Sequence, residues 1–450
     1  MATKHFQAAD DRIDARPTKE LFIEMLTRDI ALIPAIVDLV DNSADGARRL
    51  AQDGPYDGLW SRIEISDELF RIHDNCGGMT VEIAKKYAFR FGRPRAAPTL
   101  AHSIGEFGVG MKRAIFKLGN QFTVESATPT SRFTVSADVR EWAKDDDTWR
   151  FSFDDLEENI EVPNEEIGTT VTVRDLHPAV AKELQLEAFR AKLREELRDR
   201  LREPISKRLA VTLNAIPVDA NPLEFLDDER LAPAYYEETF VSEGEAPVRA
   251  RFFAGLGPRL GVEAGWHIFC NGRLVVRADK TTTTGWGISE GEAIPQYHPE
   301  YNYFRGYAYF DCDDAGRLPW NTTKTGLDLD SPITRASRLR MKTLMRPIIT
   351  FMNRLAKEKK DKGEQNDIGP LESIVANADA RPYQTVQTRD TFVTPPVPKA
   401  ELKREDQRIT YVRPLDVAMR VKKLLKARSW KAVGEKTFDY FYNAEVGEDE

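Results

Sequence analysis

Between Pro17 and Leu50 the chain repeats apolar residues at spacings of three and four and sets Asp38, Asn42 and Asp45 on the polar side of that stripe. Leu21, Phe22, Met25, Leu26, Leu32, Ile33, Ile36, Val37 and Val40 make up the stripe. This pattern predicts an amphipathic helix or a broken pair of helices. Residues at i, i+4 and i+7 share one helical face. A row of carboxylate, amide and carboxylate on a helix whose other side is buried is a strong constraint. The helix has to lie on a core while holding out hard oxygen donors, the kind that magnesium prefers while keeping several of its waters.

Two further stretches follow at short distance. Arg62 to Ser66 alternates, Asp67-Glu68 turns, and Leu69 to His73 alternates again, which predicts a hairpin. Its second strand ends at Asp74, beside the glycine turn Asn75-Cys76-Gly77-Gly78-Met79. Gly105, Gly108 and Gly110 read G-x-x-G-x-G, the reverse of a dinucleotide fingerprint, and they follow a loop instead of a strand, so a Rossmann reading is poor. Met111 to Leu118 then predicts a helix whose first free amides suit phosphate oxygens, with Lys112 adding a cation in its first turn. Arg90 to Thr99, rich in Arg, Gly and Pro, reads as a lid that orders on ligand binding.

Asp38 to Ala47, Asp74 to Met79, Gly105 to Lys112 and Gly168 to Leu176, in that order, resemble the ATP-binding motifs of the gyrase, heat-shock chaperone, histidine kinase and MutL (GHKL) superfamily. The resemblance implies an α/β (α+β) fold class: a Bergerat-type two-layer ATPase sandwich, here followed by a transducer-like α/β domain and a small C-terminal helical module. It implies ATP and Mg2+ as cofactors. Asn42 stands as the magnesium ligand with Asp45 beside it. Asp74 stands where the adenine amine is accepted, and Gly78 and Met79 fit the same pattern. Gly105, Gly108, Gly110 and Lys112 fit the phosphate loop and helix start, and Thr169 lies in the strand that closes the pocket. Asp38 takes the place of the general base, usually Glu. Asp is one methylene shorter, and misplacing a catalytic group by about 1 Å can cost on the order of a hundredfold in rate, so slow hydrolysis is expected. Cys76 stands where the pattern commonly has Gly.

Downstream, Asp175 to Arg202 predicts a long charged helix and residues 209–312 a series of strands. Ile268 to Val275, with Asn271-Gly272-Arg273 as a hairpin signal, resembles the transducer domains of MutL-like, MORC and chaperone ATPases. By that resemblance Lys324, in the loop 318–327, crosses to the γ-phosphate through closure of the second domain onto the first. The organisation read from the chain is an ATPase domain over 1–180, a transducer-like domain over 181–356, an extended linker over 357–410 and a helical module over 411–450.

The 450 residues are 31% charged and 41% hydrophobic with a net charge of -8, enough for two or three folded domains and unlike a uniformly basic nucleic-acid binder. Three unpaired cysteines, the lack of a long apolar run and a start without a hydrophobic signal point to a cytoplasmic chain with no membrane partner. From Glu401 to Lys431 there are ten Lys or Arg against four Asp or Glu, which makes DNA a candidate partner of this segment or of a clamp interior. A protein partner for the C-terminal module is the plainer expectation. The aromatic tail Phe438 to Tyr442 is expected to be buried. The function expected is an ATP-gated dimerising clamp, an ATP-dependent homodimer of the MORC- or MutL-like branch, with DNA or defence against foreign DNA as its context. The alternatives are a nucleotide-binding regulatory scaffold with negligible hydrolysis and a compact chaperone-like ATPase.

Overall fold

The computed structural model describes residues 17–28, 30–51, 54–92, 110–145, 148–288, 293–321, 324–362, 368–395 and 409–446. It divides into two compact units, Met1–Pro395 and Pro396–Glu450.

The apolar stripe of the first fifty residues becomes two helices, α1 (Lys19–Arg28) and α2 (Leu32–Ala51). The alternating segments become β1 (Trp60–Ile65) and β2 (Leu69–Asp74), joined by the expected turn. A short α3 (Val81–Ile83), capped by Thr80 Oγ1, runs into a π turn over Ala84–Ala88. After it come α4 (Gly110–Leu118), β3 (Gly119–Thr128), β4 (Ser131–Asp138), α5 (Val139–Ala143), β5 (Asp155–Glu158) and β6 (Gly168–Leu176).

The single long helix expected from Asp175 onward is divided into α6 (Pro178–Gln185), α7 (Glu187–Arg200) and α8 (Arg202–Ser206). Pro178 opens α6, where its missing N–H costs nothing. Leu186 has extended backbone between α6 and α7, and Arg190 Nε caps the end of α6 by donating to Leu184 O at 2.9 Å.

These strands, with β7 (Ala210–Leu213) and β8 (Ile216–Pro217), form an eight-stranded sheet in the order β5-β4-β3-β6-β2-β1-β7-β8. Only the β1–β7 pair is parallel. Ile63, Phe70, Ile72, Val124 and Val173 point to one face, where α2, α4 and α7 pack through Ile36, Val40, Ile115 and Leu197. Arg62 and Glu64 are exposed on the other face. One buried face and one wet face make a two-layer α/β sandwich. The sheet draws β7 and β8 from beyond residue 180, so its strand order does not follow a boundary there.

The second sheet contains β10 (Ala234–Phe240), β11 (Val248–Leu256), β12 (Gly265–Cys270), β13 (Arg273–Asp279) and β14 (Phe304–Asp311); β9 (Glu224–Asp227) precedes them in the chain. The sheet order is β10-β11-β14-β12-β13. Here both faces are covered, and the period of two separates them. Ile268, Ala308 and Phe310 face Met345 and Ile348 of the long helix α9 (Pro332–Lys362), while Phe269, Tyr307 and Tyr309 face Phe225 and Val386.

Residues 370–395, expected as part of an extended linker, instead carry α10 (Pro370–Asn377) and β15 (Asp379–Pro382). β15 pairs with β9. Leu371, Ile374, Val386 and Phe392 are buried, and their burial offsets the ordering of this stretch.

In the second unit, the expected helical module over 411–450 carries α11 (Leu415–Leu424) and α12 (Trp430–Phe441). No residue of either helix is buried. The burial expected for the aromatic tail is not found among the described residues: Phe438, Tyr440 and Phe441 are exposed.

Candidate functional site

Asp74 ends β2 in the middle of the first sheet, where it pairs with Thr169 of β6 and with Ser61 of β1. Its carboxylate is buried and organised from three sides. Oδ2 accepts from Ser43 Oγ of α2 at 2.8 Å, and Oδ1 accepts from the Cys76 amide at 2.9 Å. Ser61 Oγ in turn donates to Ser43 Oγ at 3.1 Å. Burial pushes the Asp74 carboxyl above its ordinary range, against the pull of these donors. Beside it, the Met79 amide donates to Ser126 Oγ at 2.8 Å, and the Ser126 and Thr169 hydroxyls lie 2.9 Å apart.

Two glycines permit this closeness. Gly78 has φ 67° and a methyl group on it would overlap the Ala127 carbonyl; a methyl on Gly168 would overlap the carbonyl oxygen of Asp74. Gly168→Ala is therefore expected to cost on the order of 3 kcal/mol and to weaken ATP binding with it, because the shift needed to relieve the clash moves Asp74. Thermal melting and calorimetry check both effects; an unchanged melting temperature would show that the ends of β2 and β6 are not this close.

The acidic row of α2 is arranged differently from the sequence expectation. Asp38 and Asp41 are buried, Asp45 is half-buried and Asn42 is exposed. The face turned toward the second sheet thus carries residues at i, i+3 and i+7, with Asn42 at its open margin. Asp41 was missed, although its i+3 spacing fits the same face. Both oxygens of Asp38 hold a guanidinium: Arg113 of α4 reaches Oδ2 at 2.8 Å, and Arg273 of β13 reaches Oδ1 at 2.9 Å. Arg273 also pairs with Asp41 Oδ2. Asp41 Oδ1 has no hydrogen-bond partner among the described residues.

Burial raises the Asp38 carboxyl, but Arg273, Lys324 and the Arg113 hydrogen bond together hold it below the ordinary carboxylate value. At Asp41 burial prevails over the arginine and pushes the carboxyl up to about 6.

Lys324 is buried, with φ 53°, in the loop closed by the Asn321 amide on Gly326 O at 2.9 Å. It acts electrostatically on Asp38, Asp41 and Asp45, while burial lowers the pKa of its ammonium. The distant lysine and α2 are therefore already together within one compact unit; the expected closure is not needed to bring them near.

Gly110 opens α4 against Asp38, since a Cβ on it would lie 3.7 Å from Oδ2. Lys112 does not join this group. It is buried, donates to Ala88 O at 2.6 Å and lies 5.8 Å from the Phe91 ring centre, and burial lowers its ammonium to about 7. At 100° per residue the next position turns toward α2, so Arg113 is the cation that reaches the acidic row. Gly105, Gly108 and most of the expected lid lie outside the described residues.

Residues 30–169 match the family model described as histidine kinase-, DNA gyrase B- and HSP90-like ATPase. This segment is a GHKL ATPase domain. No curated protein matches the chain. The match spans α2 through the first residues of β6 and so contains Asp38, Asn42, Asp74 and the Gly78 turn. Arg273 and Lys324 lie outside it.

The cradle around Asp74 fits a flat base approached by backbone. The α2 row fits a magnesium nucleotide through hard oxygens, with Asn42 on the accessible side. Among the described residues no cluster of three or more His, Cys, Asp or Glu could hold a metal ion, and a magnesium that shares its shell with phosphates and water needs none. Among the described residues, too, no helix is long and apolar enough to cross a membrane.

Proposed function

We propose that this chain is an ATP-hydrolysing clamp that dimerises on ATP, with Asp74 as the adenine acceptor, Asn42 as the magnesium ligand, Asp38 as the general base and Lys324 as the cation for the γ-phosphate. The observation that supports the reading is the placement of Asp38 on the side of the GHKL domain that meets the second sheet, where Arg273 and Lys324 come from far along the chain to one turn of α2. Magnesium would neutralise phosphate charge there. The chain's own residues orient the base and seat the adenine. Phosphate release and solution mass, each with and without ATP and double-stranded DNA, test the reading; no ATP binding would overturn it.

Lys324→Ala should leave ATP affinity nearly unchanged, since it spares Asp74 and Asn42, and should slow turnover by roughly a hundredfold, the worth of one cation or donor at developing charge. It should also weaken ATP-dependent dimerisation. Wild-type phosphate release with full dimerisation would make Lys324 an ordinary packing lysine.

For the C-terminal unit an anionic client is proposed, DNA or an acidic protein. Arg420, Lys422, Lys423 and Lys426 line one shallow concavity on and just after α11, and clustered cations of this kind bind phosphate or carboxylate.

A further inference from the structure

The alternation of the first hairpin puts Ser61, Ile63 and Ile65 of β1 on one face with Phe70, Ile72 and Asp74 of β2. The register sets them opposite one another: Ile65 on Phe70, Ile63 on Ile72 and Ser61 on Asp74. The first two pairs belong to the core. The row then ends in a buried polar pair, and buried polar groups need hydrogen-bond partners. Ser43 of α2, itself buried, joins the two. Ser61 Oγ donates to Ser43 Oγ at 3.1 Å, and Ser43 Oγ donates to Asp74 Oδ2 at 2.8 Å.

Both flanks of this chain of hydroxyls are fixed. Asn75 ties the start of β1 to the turn after Asp74: its Oδ1 accepts from the Trp60 amide at 2.7 Å and its Nδ2 donates to Gly58 O at 2.9 Å. From the other side α2 lies so close to the same turn that a Cβ on Gly46 would sit 2.5 Å from Cys76 O.

The chain also has a direction. A hydroxyl carries one hydrogen and two lone pairs. Ser43 takes a hydrogen from Ser61 and points its own at Asp74, and a hydroxyl that accepts becomes a stronger donor. With the Cys76 amide on Oδ1, the two donors favour an ionised carboxylate that still has lone pairs to offer. Such a group accepts an amine. Without Ser61 the Ser43 hydrogen is free to turn away from Asp74, and that acceptor is less well held.

We infer that Ser61 is a positioning residue for base recognition: through Ser43 it keeps Asp74 an acceptor for the exocyclic amine of adenine, and so sets a preference for an amino-purine. The inference rests on the reading of Asp74 as the adenine acceptor and adds a residue one hydroxyl behind that carboxylate.

Calorimetric titration of the full chain with ATP and with purine riboside triphosphate, in which hydrogen replaces the 6-amino group, tests the inference. The parent is expected to prefer ATP. Ser61→Ala should weaken ATP binding about three- to tenfold, the worth of one hydrogen bond, and leave affinity for the amine-free nucleotide unchanged. A variant that loses affinity for both nucleotides equally, or for neither, overturns the role of Ser61 alone. Once Ser43→Ala has removed the link, adding Ser61→Ala should weaken ATP no further; a full second loss means that Ser61 acts by another route, and the inference falls. Thermal melting gives folding, and loss of cooperative melting in Ser61→Ala marks a structural hydroxyl and overturns the inference as well. A parent that binds both nucleotides equally well, or neither, overturns the reading of Asp74 and this inference with it.

Discussion

Asp38→Ala is expected to bind ATP with near-parental affinity and to release phosphate at least about a hundredfold more slowly, the range that a positioned general base contributes. Its carboxylate is nearly inaccessible and sits where α2, the start of α4 and β13 converge. The cradle proposed for adenine at Asp74 lies elsewhere, around Ser43, Cys76 and Ser126, so binding and chemistry should separate in this variant. Removal of Asp38 leaves Arg273 paired with Asp41, and the fold should persist. Asp38→Glu is the informative companion: faster release than the parent would show that the shorter side chain limits the native rate. Phosphate release equal to the parent in Asp38→Ala would remove Asp38 from the chemistry.

Asp74→Asn should lose most ATP affinity. A charge-assisted hydrogen bond is worth roughly 1.5–3 kcal/mol, or about ten- to a hundredfold in the dissociation constant. The substitution presents an amide N–H₂ where an acceptor stood. In this structure both oxygens of Asp74 already accept, from Ser43 Oγ and from the Cys76 amide. With its oxygen kept on the Cys76 amide, whose role cannot reverse, the new nitrogen takes the Ser43 side, where the hydroxyl can turn to accept it, and the second acceptor oxygen is lost. Calorimetric titration with ATP decides the matter; unchanged affinity would place the adenine elsewhere.

The two carboxylates were not equally legible. Asp74 could be read because its neighbours in sequence define its setting: an alternating strand before it and a glycine turn after it. The hydroxyls that orient it could not. Ser43 and Ser61 come from a helix and another strand, and an isolated serine carries no pattern that separates it from a surface residue. On α2 the period of 3.6 located the acidic face but not its rotation. Asn42 was placed in the row and Asp41 left out, because only the docking of the second sheet shows which way the helix turns. For the same reason the start of α4 did not show that Arg113, the residue after Lys112, is the cation that meets Asp38. Adjacent residues on a helix point about 100° apart, and the side on which Phe91 and the Ala88 carbonyl wait is a tertiary fact.

Local order was therefore set by the chain itself: alternation for the strands, threes and fours for the helices, and glycines where backbone must approach backbone at Gly78 and Gly168. Those patterns also carried the family, because the nucleotide motifs are short and keep their order along the chain. Tertiary structure alone decided what surrounds each charge. Arg273 and Asp38 are separated by 235 positions and meet at 2.9 Å, and β7 joins the first sheet beside β1 from 150 positions beyond it. Long-range pairings of this kind follow from which surfaces fit and which charges have to be neutralised once buried. Neither condition leaves a mark in the neighbouring sequence.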